Sequence, residues 1–211
     1  MAATAQQSTG TQPKPATEAT KATNRALQSQ LNFNDRQAFE DASRGLVAKP
    51  DTLTIRDTKG NVVWDLEQYK TYIGADKPAP DTVNPSLWRN AQLNMNHGLF
   101  KVADRIYQVR GYDLSNITFI QGDTGWIVFD PLISAETAKA AFDFVTQHLG
   151  QRPVAAVIYS HSHIDHYGGV QTARAEFAPR RTACLNDAAT SRREAVKNRP
   201  QQNKQSLTYI V

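Results

Sequence analysis

"VAAVIYSHSHIDHYGG", residues 154–169, sets an unbroken apolar run against a loop holding three histidines and an aspartate within six positions. A run like residues 154–159 is expected of a β-strand covered on both faces, as in a parallel sheet. The chain that follows reads H-x-H-x-D-H. Leaving the strand extended, it points His161 and His163 the same way, because side chains alternate with period two. Asp165 and His166 arrive as the chain turns, so they face a second point nearby. Gly168-Gly169 lets the backbone bend sharply without a Cβ clash. Imidazole with carboxylate is a borderline ligand set that suits Zn²⁺, with Fe or Mn possible. The bland alternative is a polar loop whose histidines only meet solvent. It requires four ligand-type side chains to gather behind a buried strand by coincidence.

Working upstream, "SAETAKAAFDFVTQHLG" (134–150) predicts the best helix in the chain. Ser134 can cap it, Glu136 suits the positive end of its dipole, and Gly150 stands where a C-terminal glycine belongs. Ala138, Ala141, Phe142, Val145 and Leu149 form one apolar stripe. "GWIVFD" (125–130) precedes it as a strand, so strand, helix and strand imply a right-handed parallel crossover. In open α/β sheets, sites are built at the carboxyl ends of such strands. Asp130 ends its strand there, either as a simple terminator or as a hydrogen-bond partner of the histidine loop. "LFKVAD", "RIYQVRG" and "NITFIQG" (99–122) predict a meander, and "LTIRDTKGNVVWD" (53–65) a hairpin turning at Lys59-Gly60. In "NDRQAFEDASRGLVA" (34–48), Asn34 is the expected cap of a short helix, with Phe39, Ala42 and Leu46 on one face. Three prolines between residues 77 and 85 predict irregular chain. Residues 1–26 hold no Leu, Ile, Val or aromatic residue, so residues 1–30 are expected to form a disordered tail. His97 and His148 read as structural, His148 lying near a helix C-terminus.

The net charge of +4 is unevenly distributed. Residues 1–170 carry 16 Lys+Arg against 17 Asp+Glu, and residues 171–211 carry 8 against 3. The body therefore has no nucleic-acid signature. Cys184 is the single cysteine, so no intramolecular disulfide can form. No apolar run approaches the roughly 18 residues of a membrane span. The first residues lack the basic and apolar regions of a signal peptide. That reads as cytoplasmic by default, and as periplasmic or secreted if the true start lies upstream.

Two adjacent metal ions lower the pKa of a bound water and neutralise charge on a leaving group, which points to hydrolysis. H-x-H-x-D-H behind an apolar strand, with an upstream strand ending in Asp, resembles the metallo-β-lactamase superfamily. "PDTVNPSLWRNAQLNMNHGLFKV", "IYQVRGYDLSNITFIQGDTGWIVFDPL", "SAETAKAA" and "HLGQRPVAAVIYSHSHIDHYGGV" closely resemble its alkyl sulfatases, over residues 33–170. The resemblance implies an α/β fold, the N-terminal half of an αβ/βα sandwich spanning residues 31–170. It also implies zinc-dependent hydrolysis of alkyl sulfate esters, such as dodecyl sulfate, to alcohol and sulfate. His161 and His163 would bind one zinc, Asp165 and His166 the other, with Asp130 behind them. A bridging hydroxide would be the nucleophile, and the intact protein would be a homodimer. Another dinuclear hydrolase of this fold, a thioesterase or lactonase, is the alternative, as is a non-catalytic metal-binding relic.

Past Val170 the pattern is expected to fail. Leu, Ile, Val and Phe make up only 6 of the last 41 residues, below the roughly 20% usual in a foldable segment. Residues 171–211 therefore read as a divergent, basic, disordered tail. A frameshift or truncation near residue 170 accounts for this, with a natural short variant as the alternative. With the ligands that the family carries downstream missing, weak metal binding and little or no activity are expected.

Overall fold

The structure, a computed structural model, describes residues 14–74 and 76–172 and the backbone of Tyr209–Ile210. The elements in chain order are α1 (Glu18–Gln30), α2 (Gln37–Ser43), β1 (Leu46–Ala48), β2 (Thr54–Arg56), β3 (Val62–Asp65), α3 (Glu67–Lys70) and α4 (Pro85–Asn94). They continue with β4 (Gly98–Ala103), β5 (Ile106–Arg110), β6 (Ile117–Gln121), β7 (Trp126–Phe129), α5 (Ala135–Leu149), β8 (Val154–Tyr159) and β9 (Tyr209–Ile210). The main sheet runs β1-β4-β5-β6-β7-β8-β9, and β2-β3 form a separate ribbon. Antiparallel pairing holds from β1 to β7, and the pair β7–β8 is parallel, joined through α5. The predicted meander and crossover are therefore present. The arrangement is a mixed α/β one, with α5 and the β2–β3 ribbon packed on one face of the main sheet.

The helix α5 forms for the reasons its sequence suggests. The Ser134 hydroxyl accepts from Thr137 N at 3.2 Å, the Thr137 hydroxyl accepts from Ser134 N at 3.3 Å, and Gly150 ends the helix at φ +84°. Its buried stripe of Ala138, Ala141, Phe142 and Val145 lies against the alternate residues Phe119, Trp126 and Val128 of the sheet. Phe142 meets Phe119 edge-on at 4.9 Å between centroids, and Phe119 meets Trp126 the same way at 5.9 Å. The β2–β3 ribbon contributes Leu53 and Ile55 to the same cluster. Asp57 builds its turn, taking hydrogen bonds from Lys59 N and Asn61 N, both at 2.8 Å.

Four expectations need correction. Glu18–Gln30 is helical, not structureless: Thr17 caps it, and its Ala, Lys, Gln and Arg residues are strong helix formers despite burying nothing. It docks through Asn24 Nδ2 onto Asp81 O at 2.7 Å. Asn34 does not cap α2; Asp35 accepts from Gln37 N at 2.9 Å, and Leu46 starts β1 beyond Gly45 at φ +76°. The strand β8 is half-buried throughout, with Ala155 exposed. Of its residues, Val154 and Val157 pack against the core cluster. The folded unit also runs past Val170: residues 170–172 form a helical turn, and the buried Thr172 hydroxyl donates to Ala135 O at 2.7 Å. Residues 173–208 of the expected tail lie outside the described residues, and Tyr209–Ile210 pair antiparallel with β8.

His97 is 1% exposed, with Nδ1 on Met95 O at 2.9 Å and Nε2 without a hydrogen-bond partner. Burial pushes its imidazole below the usual value, aided by Lys49 and Lys70. The unfolded chain therefore binds this proton more tightly, so the His97 contribution is whole above about pH 6.5 and is lost as pH falls below it. His97→Gln should flatten the loss of urea stability between pH 7.5 and 5 relative to the parent. Phe142→Ala should cost about 3–5 kcal/mol of unfolding free energy, read from the same denaturation curves.

Candidate metal centre

The ends of β7 and β8 lie side by side, and the residues that follow them build the site. Asp130, after β7, is 7% exposed and takes φ +55°, a conformation that favours Asn and Asp among non-glycine residues. Its backbone N donates to Ile158 O at 2.9 Å, extending the parallel ladder. Its Oδ1 accepts from Ser160 N at 2.7 Å. Its Oδ2 accepts from the Ser160 hydroxyl at 2.7 Å and from His166 Nδ1 at 2.8 Å. Asp130 thus bonds both Ser160 and His166.

Beyond Ser160 the chain carries His161 and His163, then closes in a single 3₁₀ turn at Ile164–His166. The Ser160 hydroxyl has one proton, and Asp130 takes it. Its oxygen is left to accept from His161 Nδ1 at 2.9 Å. The proton of His161 thus sits on Nδ1 and leaves a lone pair on Nε2. His166 is set the same way by Asp130. The free His161 Nε2 faces His163 Nδ1 at 3.0 Å, and the free His166 Nε2 faces Asp165 Oδ2 at 3.3 Å. A proton on His163 Nδ1 makes the first contact a hydrogen bond to His161 Nε2, and a cation taking both lone pairs is the other way to occupy it. Two ligand atoms on a tetrahedral zinc, each about 2.0–2.1 Å from it, stand roughly 3.3 Å apart. The two separations, 3.0 and 3.3 Å, are hydrogen-bond distances that also lie near this ligand spacing.

Among the described residues, no group of three or more His, Cys, Asp or Glu side chains is placed to hold one ion. The described loop thus offers two donors to each position, where a catalytic zinc commonly takes three from protein. The pair Gly168-Gly169 matters less for bending than for close approach. A Cβ at Gly168 would lie 2.0 Å from Ile133 O, and one at Gly169 2.1 Å from Pro131 O. His97 and His148 stay apart from this site; His148 packs edge-on against Phe144 at 4.6 Å.

Sequence reasoning missed Ser160, Asp113 and Ser115. Asp113, in the β5–β6 loop, accepts from Ser115 N at 2.8 Å, Ile133 N at 2.8 Å and the Thr137 hydroxyl at 3.0 Å. Burial pushes its carboxyl above the ordinary range, against the pull of those donors. The Ser115 hydroxyl donates to the Asp165 carbonyl. The available signal was the D-x-S of "YDLSN", which is an Asx-turn pattern. Asp130→Asn keeps a residue suited to positive φ but removes the acceptor of His166 Nδ1. It should weaken Zn²⁺ binding about 10–100-fold, measured by competition with a chromogenic chelator.

A family model described as the metallo-β-lactamase superfamily matches residues 110–206. The match passes well beyond Val170, so the expectation that family likeness stops there is corrected. The chain is 54% identical over 158 residues to a linear primary-alkylsulfatase of a Pseudomonas species, covering 75% of this chain and 23% of that protein. It is 51% identical over 158 residues to an (R)-specific secondary-alkylsulfatase, also from a Pseudomonas species, again at 75% and 23% coverage. An alkyl/aryl-sulfatase of Saccharomyces cerevisiae is 47% identical over 148 residues, covering 70% of this chain and 23% of that one. A solved structure of a stereoselective inverting sec-alkylsulfatase from a Pseudomonas species superposes with a TM-score of 0.69 at 51% identity, covering 75% of this chain and 25% of that one. The chain thus spans about a quarter of the length of these relatives. By these matches the chain carries a metallo-β-lactamase superfamily domain and is similar over about three quarters of its length to proteins named as alkylsulfatases.

Proposed function

We propose that the chain belongs to a zinc-dependent hydrolase of alkyl sulfate esters, dodecyl sulfate among them, that yields alcohol and sulfate. The observation that carries this reading is the identity of about half with three proteins named as alkylsulfatases. In it, His161 and His163 would hold one ion, and Asp165 and His166 would hold the second. When bound, zinc supplies Lewis acidity and brings the pKa of a coordinated water toward neutrality. Ser160 and Asp130 keep the Nδ1 protons of His161 and His166 in place, so that both Nε2 lone pairs stay available. Homodimerisation of the intact protein is part of the same reading.

The surroundings suit an amphiphilic anion. Leu114 and Ile164, flanking the Ser115–Asp165 contact, are 73% and 57% exposed and give the loop an apolar rim. Leu114 also lines a cleft of about 510 Å³, walled by Trp64, Leu66, Tyr69 and Met95 with Arg110 and Asn116. Apolar walls with a cation are the chemistry that receives an alkyl chain bearing a charged head. No helix among the described residues is long and apolar enough to cross a membrane.

The test is the Zn²⁺-loaded chain offered dodecyl sulfate and a dodecanoyl thioester side by side. Slow sulfate release, lost in His161→Ala, and no thioester cleavage are expected. Preferential thioester cleavage would instead favour the thioesterase reading. Zinc binding with neither reaction would favour a non-catalytic metal-binding protein.

A further inference from the structure

Asp113 and Ser115 lie outside the H-x-H-x-D-H loop, yet both routes to one of its donor pairs pass through them. On the first route, Asp113 Oδ1 accepts from Ser115 N at 2.8 Å and orders the β5–β6 loop. The hydroxyl of Ser115 then donates to the carbonyl of Asp165. On the second, Asp113 Oδ2 accepts from Ile133 N at 2.8 Å and from the Thr137 hydroxyl at 3.0 Å, tying down the turn after β7 and the first turn of α5. That turn includes the left-handed residues Asp130 and Leu132, and Asp130 holds His166 Nδ1 at 2.8 Å. The loop also rests on the same turn through Gly169 N on Leu132 O at 2.9 Å. One buried carboxylate thus reaches Asp165 through Ser115 and His166 through Asp130. His161 is held by Ser160, which is itself bonded to Asp130, and neither bonds Ser115.

We infer that Ser115, ordered by Asp113, is a positioning residue that sets the Asp165–His166 pair for a divalent cation, through a contact that His161 and His163 do not share. The inference rests on the metal reading of the loop. Side-chain positions fixed by such outer hydrogen bonds govern ligand geometry, and their loss commonly costs about 10–100-fold in metal affinity. Ser115→Ala deletes one hydroxyl with little loss of packing, whereas Ser115→Thr keeps it. Asp113→Asn leaves one acceptor oxygen facing three donors, so it disturbs both routes at once.

The experiment is a Zn²⁺ titration of the full chain, followed by NMR of the histidine side chains assigned one by one. In Ser115→Ala the His166 response should need at least tenfold more Zn²⁺, while His161 and His163 respond within twofold of the parent. Ser115→Thr should restore the parent behaviour, and Asp113→Asn should weaken His166 further. Ser115→Ala indistinguishable from the parent would overturn the inference. So would an equal weakening of all three histidines, the mark of a merely structural role. If no histidine of the parent responds to Zn²⁺, the metal reading itself falls and takes this inference with it.

Discussion

The carboxylate of Asp130 joins the ends of two parallel strands, and the geometry of the site depends on it. A carboxylate at 7% exposure is costly unless its lone pairs are matched, and here three donors from Ser160 and His166 match them. The same bonds hold the left-handed backbone at Asp130, which the chain would otherwise avoid by about 1–2 kcal/mol. They also fix which nitrogen of His161 and of His166 carries its proton. A histidine loop without this acceptor would have four ligand-type side chains and no defined direction for any of them.

Around that junction, packing is uneven by face. Val109, Ile117, Phe119, Trp126 and Val128 are buried beneath α5 and the β2–β3 ribbon. Ile106, Ile120, Ile127, Phe129 and Ile158, which alternate with them or pair across from them, are only half-buried. One layer of helix and ribbon therefore accounts for the described core. It also explains why β8, apolar along its whole length, is not buried along its whole length. The closeness of Gly168 and Gly169 to carbonyls of the 131–133 turn locks the loop against this covered side of the sheet.

Much of this was legible because it is local. The parallel crossover follows from an apolar run, a capped helix with a 3.6-residue stripe and a second apolar run. The four donors follow from period two and a turn. The errors have local causes as well. A tail poor in apolar residues can still be a helix when Ala, Lys and Gln dominate, because helix propensity does not require a buried face. The N-cap position of α2 fell to Arg36, which makes no side-chain cap, and Asp35 just before it takes the Gln37 N–H in place of Asn34. The α4 helix, capped by Asn84 with Pro85 at its first position, was hidden behind a proline-rich stretch that is irregular only up to that point.

By itself the sequence determined the order of elements from β4 to β8, the helix boundaries of α5, a loop with four ligand-type residues and its likeness to a family. All of these are written in spacing and residue type within short windows. Only the tertiary structure decided that Asp130 bonds His166, 36 positions away, that Ser115 bonds Asp165, 50 positions away, and that Asp113 bonds Ile133 and Thr137. Contacts of that separation arise when β5, β6, β7 and β8 come into register in one sheet. Until then, nothing in the spacing of residues distinguishes a carboxylate that orders a site from one that faces water.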